Sequence, residues 1–479
     1  MNGPAMRWVY VNIAATRIQS YLSRTPDLKG VRGASAWLGD TSCRDSSAAW
    51  VAAASGTGDG DVEINAEAGQ ADGVFPLRFP SCGDATADHR RAAATANAAQ
   101  TAIRRQLPAV PLAAGWATGS SYVEAYPDGL AAEDALPVSP PVDEIPFLQS
   151  CATCRADPAV TDIDLHERQV RVCADCAARY TDRYRQPGLR QATVPVSAET
   201  RLLHALDVDE THTARHFDAL AALGAADGNR NHVASVYIDG NNLGRLFEAA
   251  ATSGDTELKA RLSEKVSAAT RGALIDATRT VWPRPDDRGD QTAVPVIPHL
   301  VGGDDVLVSV VADRAWLFTT AYLHSFRGRM QKVTDLPAAA TTSASAAIVF
   351  AHSKHPFRRS VDLAAELLTR AKREHCGRQP AIAWLDVTRD GDQPVPERRS
   401  WTLEHAATLD PAMRALSALP AAARAEWGRL CDPDRPQISA ARLRRHGRRL
   451  ERSDVVEPLL EHGGPAAVAA ALSLARWWS

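Results

Sequence analysis

The chain has 479 residues, of which 45% are hydrophobic and 23% are charged. This is the composition of a soluble globular protein, and the length exceeds one compact domain, so about two to four domains are expected. A formal net charge of −3 argues against a protein whose whole surface is basic and binds nucleic acid, although it is compatible with local basic patches. The sequence has no recognisable signal peptide and no apolar run long enough to cross a bilayer, so a cytoplasmic protein without a membrane partner is expected.

Residues 7–15 (RWVYVNIAA) are predicted to form a strand, followed by a helix over residues 16–22. A second helix is expected to open within residues 27–35, with Gly33 and Ser35 at its start. Backbone amides there would either bind the phosphates of a nucleotide or be capped by the Ser35 hydroxyl alone, and the sequence favours neither interpretation.

Residues 127–150 carry repeated prolines and acidic side chains without a period, which predicts a linker or an extended surface crossing. Two Cys-x-x-Cys pairs follow with eighteen residues between them: Cys151, Cys154, Cys173 and Cys176. This spacing is typical of a tetrahedral Zn²⁺ site, and four thiolates leave no open position, so the zinc is expected to be structural. A redox-active pair is the competing interpretation, but it would not need a second pair.

Residues 198–224 are predicted to be helical and contain His212 and His216, whose spacing would place them on one helix face. The Glu of a His-Glu-x-x-His metal motif is missing there. Solvated or packed histidines are therefore favoured over a metal site.

Two acidic segments follow. Residues 233–238 form a β-branched apolar run that leads into Asp239 and then into turn-forming residues, and Gly302-Gly-Asp-Asp305 lies between two apolar runs, as in a β-hairpin with an acidic tip. Either segment alone is ordinary turn chemistry. Together, Asp239, Asp304 and Asp305 are predicted to hold two divalent cations, Mg²⁺ or Mn²⁺, which take the rest of their ligands from water and substrate phosphates.

The order of predicted elements favours catalysis over ordinary turns. After Asp239 the sequence predicts a helix, the acidic hairpin, a helix, a strand, a helix and a last strand, over residues 257–281, 302–305, 313–332, 343–350, 361–374 and 381–386. This is the order of the ferredoxin-like palm of polymerases and nucleotide cyclases, with both acidic segments at the ends of adjacent central strands.

The sequence after a Pro- and Arg-rich break at residues 393–400 is predicted to be helical throughout. The expected helices cover residues 411–419, 421–430, 439–449 and 465–478. The third is basic from Arg442 to Arg449, which indicates either contact with RNA phosphates or, as the favoured interpretation, a solvated face.

The run Asp239-Gly-Asn-Asn-Leu-Gly244, followed by Gly302-Gly-Asp-Asp305, resembles the palm domain of the large polymerase-like subunit of type III CRISPR complexes, the cyclic oligoadenylate synthases. It is similar, more distantly, to GGDEF diguanylate cyclases. The family usually reads Asp-Gly-Asp after the first strand, and here Asn241 stands at the third position, which removes one carboxylate. No His-Asp dipeptide occurs, so the HD nuclease domain common in this family is expected to be absent, and with it DNase activity.

The resemblance implies an α+β protein with two ferredoxin-like palms, the second catalytic, a four-cysteine zinc module between them and a helical C-terminal domain. Residues 73–80 and the Ala-rich segment 88–107 fit the later part of the first palm. The expected divisions are a degenerate N-terminal palm, a Pro-rich linker, a zinc-binding and helical module, the catalytic palm and the helical domain, at residues 1–126, 127–150, 151–230, 231–392 and 393–479.

The resemblance also implies a nucleotidyltransferase that converts ATP to a cyclic oligoadenylate or cyclic dinucleotide in antiviral defence. The residues expected to bind nucleotide are Gly240, Asn241, Asn242, Leu243, Gly244, Gly302, Gly303 and Lys372. Lys372 lies in a stretch that resembles the Ala-Lys-x-x-Gly-Arg phosphate-binding stretch of GGDEF enzymes, lengthened by two residues. Guide and target RNA, other CRISPR subunits and a second copy of the chain are partners left open. The alternative is a non-catalytic scaffold that binds RNA and other subunits. It stays open because Asn241 replaces a carboxylate of the family's usual motif.

Overall fold

A computed structural model describes residues 6–43, 47–57, 61–69, 73–134, 148–165, 167–180, 197–224, 231–251, 253, 255, 257–282, 293–396 and 398–478. Their strands form a four-stranded, a six-stranded and a two-stranded sheet. No helix within these residues is long and apolar enough to cross a membrane.

The first palm is an antiparallel four-stranded sheet with the order β2-β3-β1-β4. Its strands are β1 (Trp8–Ala15), β2 (Glu63–Ile64), β3 (Val74–Pro80) and β4 (Leu112–Gly119). Its helices are α1 (Ile18–Leu22), α2 (Leu28–Ser42), α3 (Ala48–Ser55), α4 (Ala85–Gln106) and α5 (Tyr122–Asp134). Strand order and connections are those of the ferredoxin-like fold, as expected.

Helix α2 begins earlier than the sequence analysis placed it. Asp27 is its N-cap, and one of its carboxylate oxygens accepts a hydrogen bond from Gly30 N at 3.0 Å. Gly33 and Ser35 therefore lie in the body of the helix, where backbone N–H groups are bonded to carbonyls one turn earlier. The predicted phosphate site at residues 33–35, and the predicted Ser35 cap, are both wrong.

The start of the predicted linker is also helical. Helix α5 continues to Asp134 and includes Pro127, which lies in its second turn. At this position the proline removes one internal hydrogen bond, to the carbonyl of Val123, and the helix nevertheless continues. Residues 135–147 of the predicted linker lie outside the described residues.

The four-cysteine module consists of a hairpin and a short helix, and two further helices follow it. Their bounds are β5 (Thr161–Leu165), β6 (Arg168–Val172), α6 (Ala174–Tyr180), α7 (Ala198–Ala205) and α8 (Phe217–Ala221). His212 ends a 3-10 turn, whereas His216 caps α8 by accepting a hydrogen bond from Ala219 N at 3.1 Å. The two histidines thus lie in different elements and do not share a helix face.

The second palm contains a six-stranded sheet with the order β12-β11-β10-β7-β9-β8. The strands are β7 (His232–Asn241), β8 (Val296–Gly302), β9 (Asp305–Val311), β10 (Ser343–His352), β11 (Ala381–Asp386) and β12 (Trp401–Thr402). The helices are α9 (Leu243–Ala251), α10 (Leu258–Val281), α11 (Ala315–Met330), α12 (Phe357–Glu374) and α13 (Val387–Asp390). The four strands β10-β7-β9-β8 repeat the ferredoxin-like order, and β11 extends the sheet in parallel to β10.

Both faces of this sheet are buried, which explains its nearly continuous apolar strands. Val236 and Val308 belong to the core that includes α10 and α11, whereas Leu307 and Val349 belong to a second core shared with α12 and the first palm. Burial of each such side chain contributes about 1.5–3 kcal/mol. The central strands, and the residues at their ends, are consequently held rigidly.

The C-terminal domain is helical from Leu403 onward, as expected, whereas Trp401 and Thr402 form β12 of the second palm's sheet and correct the prediction of helix throughout. Its helices are α14 (Leu403–Ser417), α15 (Ala421–Leu430), α16 (Pro436–Arg449) and α17 (Ser453–Leu474). Helix α14 begins eight residues before the prediction, and α17 is interrupted at Gly463 and Gly464. The end of the chain docks on the palm, because the buried Asp386 accepts hydrogen bonds from Arg476 at 3.1 Å and from Trp477 at 2.9 Å.

Candidate active site

Asp239, Asp304 and Asp305 lie together at one end of the central strands of the second palm. Strands β7 and β9 are antiparallel neighbours, so the end of β7 meets the start of β9. The turn between β8 and β9 consists of Gly303 and Asp304, with Gly302 paired opposite Asp305. Gly303 has a φ of 60° and Asp304 has an ordinary negative φ, as in a type II′ hairpin turn. The structure therefore contains the predicted acidic hairpin.

Burial and mutual repulsion disfavour full ionisation of the acidic cluster. Burial, and then the nearby Asp239 carboxylate, raise the pKa of Asp304 to about 7. The same two causes raise the pKa of Asp305 well above its ordinary value. Carboxylates this close do not all ionise unless a cation compensates their repulsion.

The donor set fits a hard divalent cation. Carboxylate oxygens are the ligands that Mg²⁺ and Mn²⁺ prefer, and both ions accept water or phosphate as the remaining ligands. The three aspartates do not form a closed metal cage: among the described residues, the one group of three or more side chains close enough to hold a metal ion is that of the four cysteines. This open arrangement suits ions that share their ligands with a substrate.

Lys372 supplies a positive charge to the cluster. It lies in the last turn of α12, and its ammonium contacts a carboxylate oxygen of Asp239 and donates to Gly240 O at 2.6 Å. The chain then turns through Cys376 and Gly377, with φ values of 51° and 61°. This left-handed turn accommodates the longer connection after Lys372 and returns the chain to Asn242, whose amide donates to Gly377 O at 2.6 Å.

Gly240 fits at its position because it has no side chain. It donates its N–H to Asp304 Oδ2 at 3.2 Å. A Cβ at this position would stand 2.3 Å from Leu243 Cδ1 and 2.7 Å from Asp304 Oδ2, distances that real Cβ atoms do not show. A side chain at this position would therefore displace the Leu243 side chain and the Asp304 carboxylate.

The predicted turn over residues 240–244 is shorter than expected. Gly240 and Asn241 still belong to β7, and Asn242, with a φ of 60°, makes the turn alone. Leu243 and Gly244 open α9, in the first turn of which the N–H groups have no acceptor within the helix. Of the predicted nucleotide-binding stretch, these two residues present helix-terminal amides that suit phosphate.

The Asn241 side chain is hydrogen-bonded to the neighbouring strand β10. Its amide donates to Ser343 Oγ at 2.9 Å and to Gln379 O at 3.3 Å, and it accepts from Ser345 Oγ at 3.1 Å. The side chain is 2% exposed. It ties β7 to β10 and to the start of β11, so its placement in the predicted nucleotide-binding turn is corrected.

Sequence analysis missed Tyr237 and Gln19. The Tyr237 hydroxyl lies 3.4 Å from Asp305 Oδ1 and accepts a hydrogen bond from Gln19 Nε2, which belongs to α1 of the first palm. The available signal was that Tyr237 precedes Asp239 by two residues, which places both side chains on the same side of a strand. The Gln19 contact spans the two palms and leaves no local signal.

The four predicted zinc ligands form a compact cluster. The sulfur atoms of Cys151, Cys154, Cys173 and Cys176 lie within 4.8 Å of one another, and Cys154 Sγ is 3.7 Å from Cys173 Sγ. Three of the four are buried. Four thiolates without an open position fit a structural Zn²⁺ ion and no catalytic one.

Helix α6 packs this cluster onto the first palm. A Cβ on Gly33 would lie 1.9 Å from Arg179 O, so α2 and α6 are in backbone contact. Trp37 Nε1 donates to Ala178 O at 2.8 Å, and the Arg179 side chain donates to Tyr21 O at 2.7 Å. The four-cysteine module thus supports helices α1 and α2.

Comparison with known proteins agrees with this geometry. Residues 232–381 match the family model of Cas10/Cmr2, second palm domain. No curated protein sequence matches the chain. The fold is similar to that in the crystal structure of a Csm1–Csm4 cassette in complex with one ATP, with a TM-score of 0.58, 16% identity, and coverage of 98% of this chain and 70% of that one.

Two further solved structures share the fold. A Csm1–Csm4 cassette in complex with cA4 gives a TM-score of 0.57 at 15% identity, covering 98% of this chain and 70% of that one. Csm1 of T. onnurineus gives 0.55 at 15% identity, covering 97% and 70%. These matches confirm the α+β fold class, and the family model agrees with the resemblance of the acidic motifs within residues 232–381.

Proposed function

We propose that the chain is a nucleotidyltransferase that joins ATP molecules into a cyclic oligoadenylate, since residues 232–381 match the model of the Cas10/Cmr2 second palm domain. The observation that carries the proposal is the half-buried cluster of Asp239, Asp304 and Asp305 at the ends of two paired strands. Within the described residues, Lys372 pairs with Asp239 alone, and the mutual repulsion of the three adjacent carboxylates disfavours folding, which supports a binding function for them.

The reaction is a substitution at phosphorus. A ribose hydroxyl of one ATP forms a bond to the α-phosphorus of another, the bond from that phosphorus to the bridging oxygen breaks, pyrophosphate leaves, and the hydroxyl proton passes to water. Two Mg²⁺ or Mn²⁺ ions, when bound, would lower the pKa of the attacking hydroxyl and neutralise the leaving pyrophosphate. Asp239, Asp304 and Asp305 would hold them.

The other residues of the site would orient the triphosphate. The amides of Leu243 and Gly244 at the start of α9 are placed to bind phosphate oxygens, and Lys372 approaches from the end of α12. Gly302 and Gly303 leave room beside the acidic turn, where a Cβ on Gly303 would meet open space. The base of the nucleotide is assigned as adenine by the family relationship and by the ATP and cA4 in the similar Csm1–Csm4 structures.

Ring closure requires two nucleotides to meet. The first palm supports this within one chain, because its sheet has the same strand order and it packs against the second palm. No acidic hairpin occurs in its described strands, so only the second palm is proposed to catalyse. Other Csm-type subunits are proposed partners, and contact of RNA with the exposed Arg442, Arg445 and Arg448 on α16 stays a prediction.

Mass spectrometry of the products tests the proposal. Purified protein is incubated with ATP and Mg²⁺ or Mn²⁺, alone and with companion subunits and target RNA, beside the variant Asp304→Ala/Asp305→Ala. Cyclic oligoadenylate that disappears in the variant is the expected result. ATP left intact under every condition would favour the second candidate, a non-catalytic scaffold, in which Asn241 ties β7 to β10 and β11.

A further inference from the structure

One hydroxyl group connects the two palms at the acidic turn. Tyr237, in β7 of the second palm, has its hydroxyl 3.4 Å from Asp305 Oδ1, and the same oxygen accepts a hydrogen bond from Gln19 Nε2 of the first palm. We propose that Gln19 and Tyr237 are positioning residues, which set the place of the Asp305 carboxylate for metal binding. The inference rests on the proposed function, since it concerns the same cluster.

Tyr237 is too constrained to follow a mobile carboxylate. Its strand is paired on both sides, with Leu307 in β9 and Ala347 in β10 directly opposite it. The side chain is 9% exposed and belongs to the apolar core that the two palms share. A hydroxyl held in this way is a fixed point, and Asp305, at the first position of β9, orients toward it.

Gln19 is constrained from the opposite side. It lies in α1, the last two residues of which, Tyr21 and Leu22, accept hydrogen bonds from the Arg179 guanidinium at 2.7 Å and 3.2 Å. Arg179 is buried in α6 and paired with Asp175 at 2.7 Å. The four-cysteine module therefore fixes α1, and α1 fixes the amide that contacts Tyr237.

The donor and acceptor roles in these hydrogen bonds leave the Asp305 carboxylate able to bind a metal ion. The amide of Gln19 donates to the phenol oxygen, so the phenol proton is free to point at Asp305 Oδ1. The second oxygen of the carboxylate remains available to a cation. Outer partners of this kind orient metal ligands, and their removal typically weakens metal affinity about 10- to 100-fold. This gives the first palm, which has no acidic hairpin in its described residues, a role at the catalytic cluster.

Titration of the purified full chain with Mn²⁺, followed by electron paramagnetic resonance, tests the inference. The variants are Tyr237→Phe, Gln19→Met and the double variant, each of which keeps the packing volume. Tyr122→Phe is the control, because Tyr122 is also buried and loses one hydrogen bond, to Asn12 Oδ1 at 3.2 Å in the first palm. We expect about tenfold weaker Mn²⁺ affinity for Tyr237→Phe, a smaller loss for Gln19→Met, and unchanged affinity for Tyr122→Phe.

The double variant distinguishes an effect of Gln19 that is transmitted through Tyr237 from a general loosening of the structure around the site. If Gln19 acts through Tyr237, the Gln19→Met change has no further effect once the hydroxyl is gone, so the two losses do not add. Additive losses, or wild-type affinity in Tyr237→Phe, would overturn the inference. The Asp304→Ala/Asp305→Ala variant shows which idea has failed: if it still binds Mn²⁺ like the wild type, the proposed site itself is wrong.

Discussion

The Lys372 ammonium forms an ion pair with the Asp239 carboxylate and donates to Gly240 O at 2.6 Å. It thereby places a protein cation inside a cluster of three carboxylates. A metal ion that binds Asp239 must compete with this ammonium, and a displaced Lys372 would be free to contact the phosphates of the nucleotide. Metal and nucleotide are therefore expected to bind together more readily than either alone.

Replacement of Lys372 by methionine should separate these two effects. We expect tighter Mn²⁺ binding without nucleotide, because the competing ammonium is gone, and a KM for ATP at least about tenfold higher, because a charged phosphate contact is lost. Equilibrium titration with Mn²⁺ and steady-state kinetics measure the two quantities. Arg373→Met, on the exposed side of the same helix turn, is the control and should change neither.

Two glycines near the site should differ in their tolerance of a methyl group. Gly240→Ala places a Cβ against Leu243 and Asp304, so we expect loss of metal binding and a stability loss of about 1–3 kcal/mol. Gly244→Ala adds its methyl in open space in the first turn of α9 and should preserve folding and metal binding. Urea unfolding and Mn²⁺ titration of both variants check this, and a normal site in Gly240→Ala would contradict the described packing.

His299 should make the chain sensitive to acid. It is buried in β8, contacts Ser309 Oγ at 2.8 Å, and burial lowers its pKa to about 3 from an ordinary 6.5. Between these values the unfolded chain binds a proton that the folded chain does not, so stability is full above pH 6.5 and falls as the pH decreases toward 3. The expected loss is about 1.5 kcal/mol between pH 6.5 and 5.

Urea unfolding at the two pH values measures this loss. His299→Gln should remove about that much of the pH dependence, whereas His204→Gln, at an exposed position on α7, should leave it unchanged. An equally steep pH dependence in His299→Gln would show that other groups cause it.

The cysteine cluster should bind one zinc ion that stabilises the chain. We expect Cys173→Ser to lose the metal and to unfold at a temperature lower by roughly 5 °C or more, since α6 would no longer support α1 and α2. Elemental analysis and thermal unfolding provide the readouts, with the exposed Cys82→Ser as control. The assignment would be contradicted if elemental analysis finds no zinc in the wild-type chain as purified and that chain unfolds at the same temperature as Cys173→Ser.

The acidic hairpin and the order of elements in the second palm were predictable because their signals are local. Nearly continuous apolar runs mark β7 and β9, and the glycines of the turn mark its position. The four-cysteine cluster was predictable from spacing alone. Asp27, the N-cap of α2, is a residue type that favours caps, so this helix start also has a local signal.

The contacts that the sequence did not predict are all long-range. Gln19 and Tyr237 are 218 positions apart, and the Arg179 backbone meets Gly33 only because α6 packs on α2. The engagement of Asn241 depends on serines in β10, about a hundred positions away. No periodicity carries such information, because it arises when separate elements pack.

The ratio of pyrophosphate released to ATP consumed tests the central claim most directly. Cyclisation loses one pyrophosphate for every ATP, because each nucleotide in a ring has been attacked once, whereas linear products retain one triphosphate per chain and ATP hydrolysis releases phosphate. With companion subunits and target RNA present, we predict a ratio of one, no inorganic phosphate, and no release from Asp304→Ala/Asp305→Ala. Phosphate in place of pyrophosphate, or equal release from the variant, would contradict it.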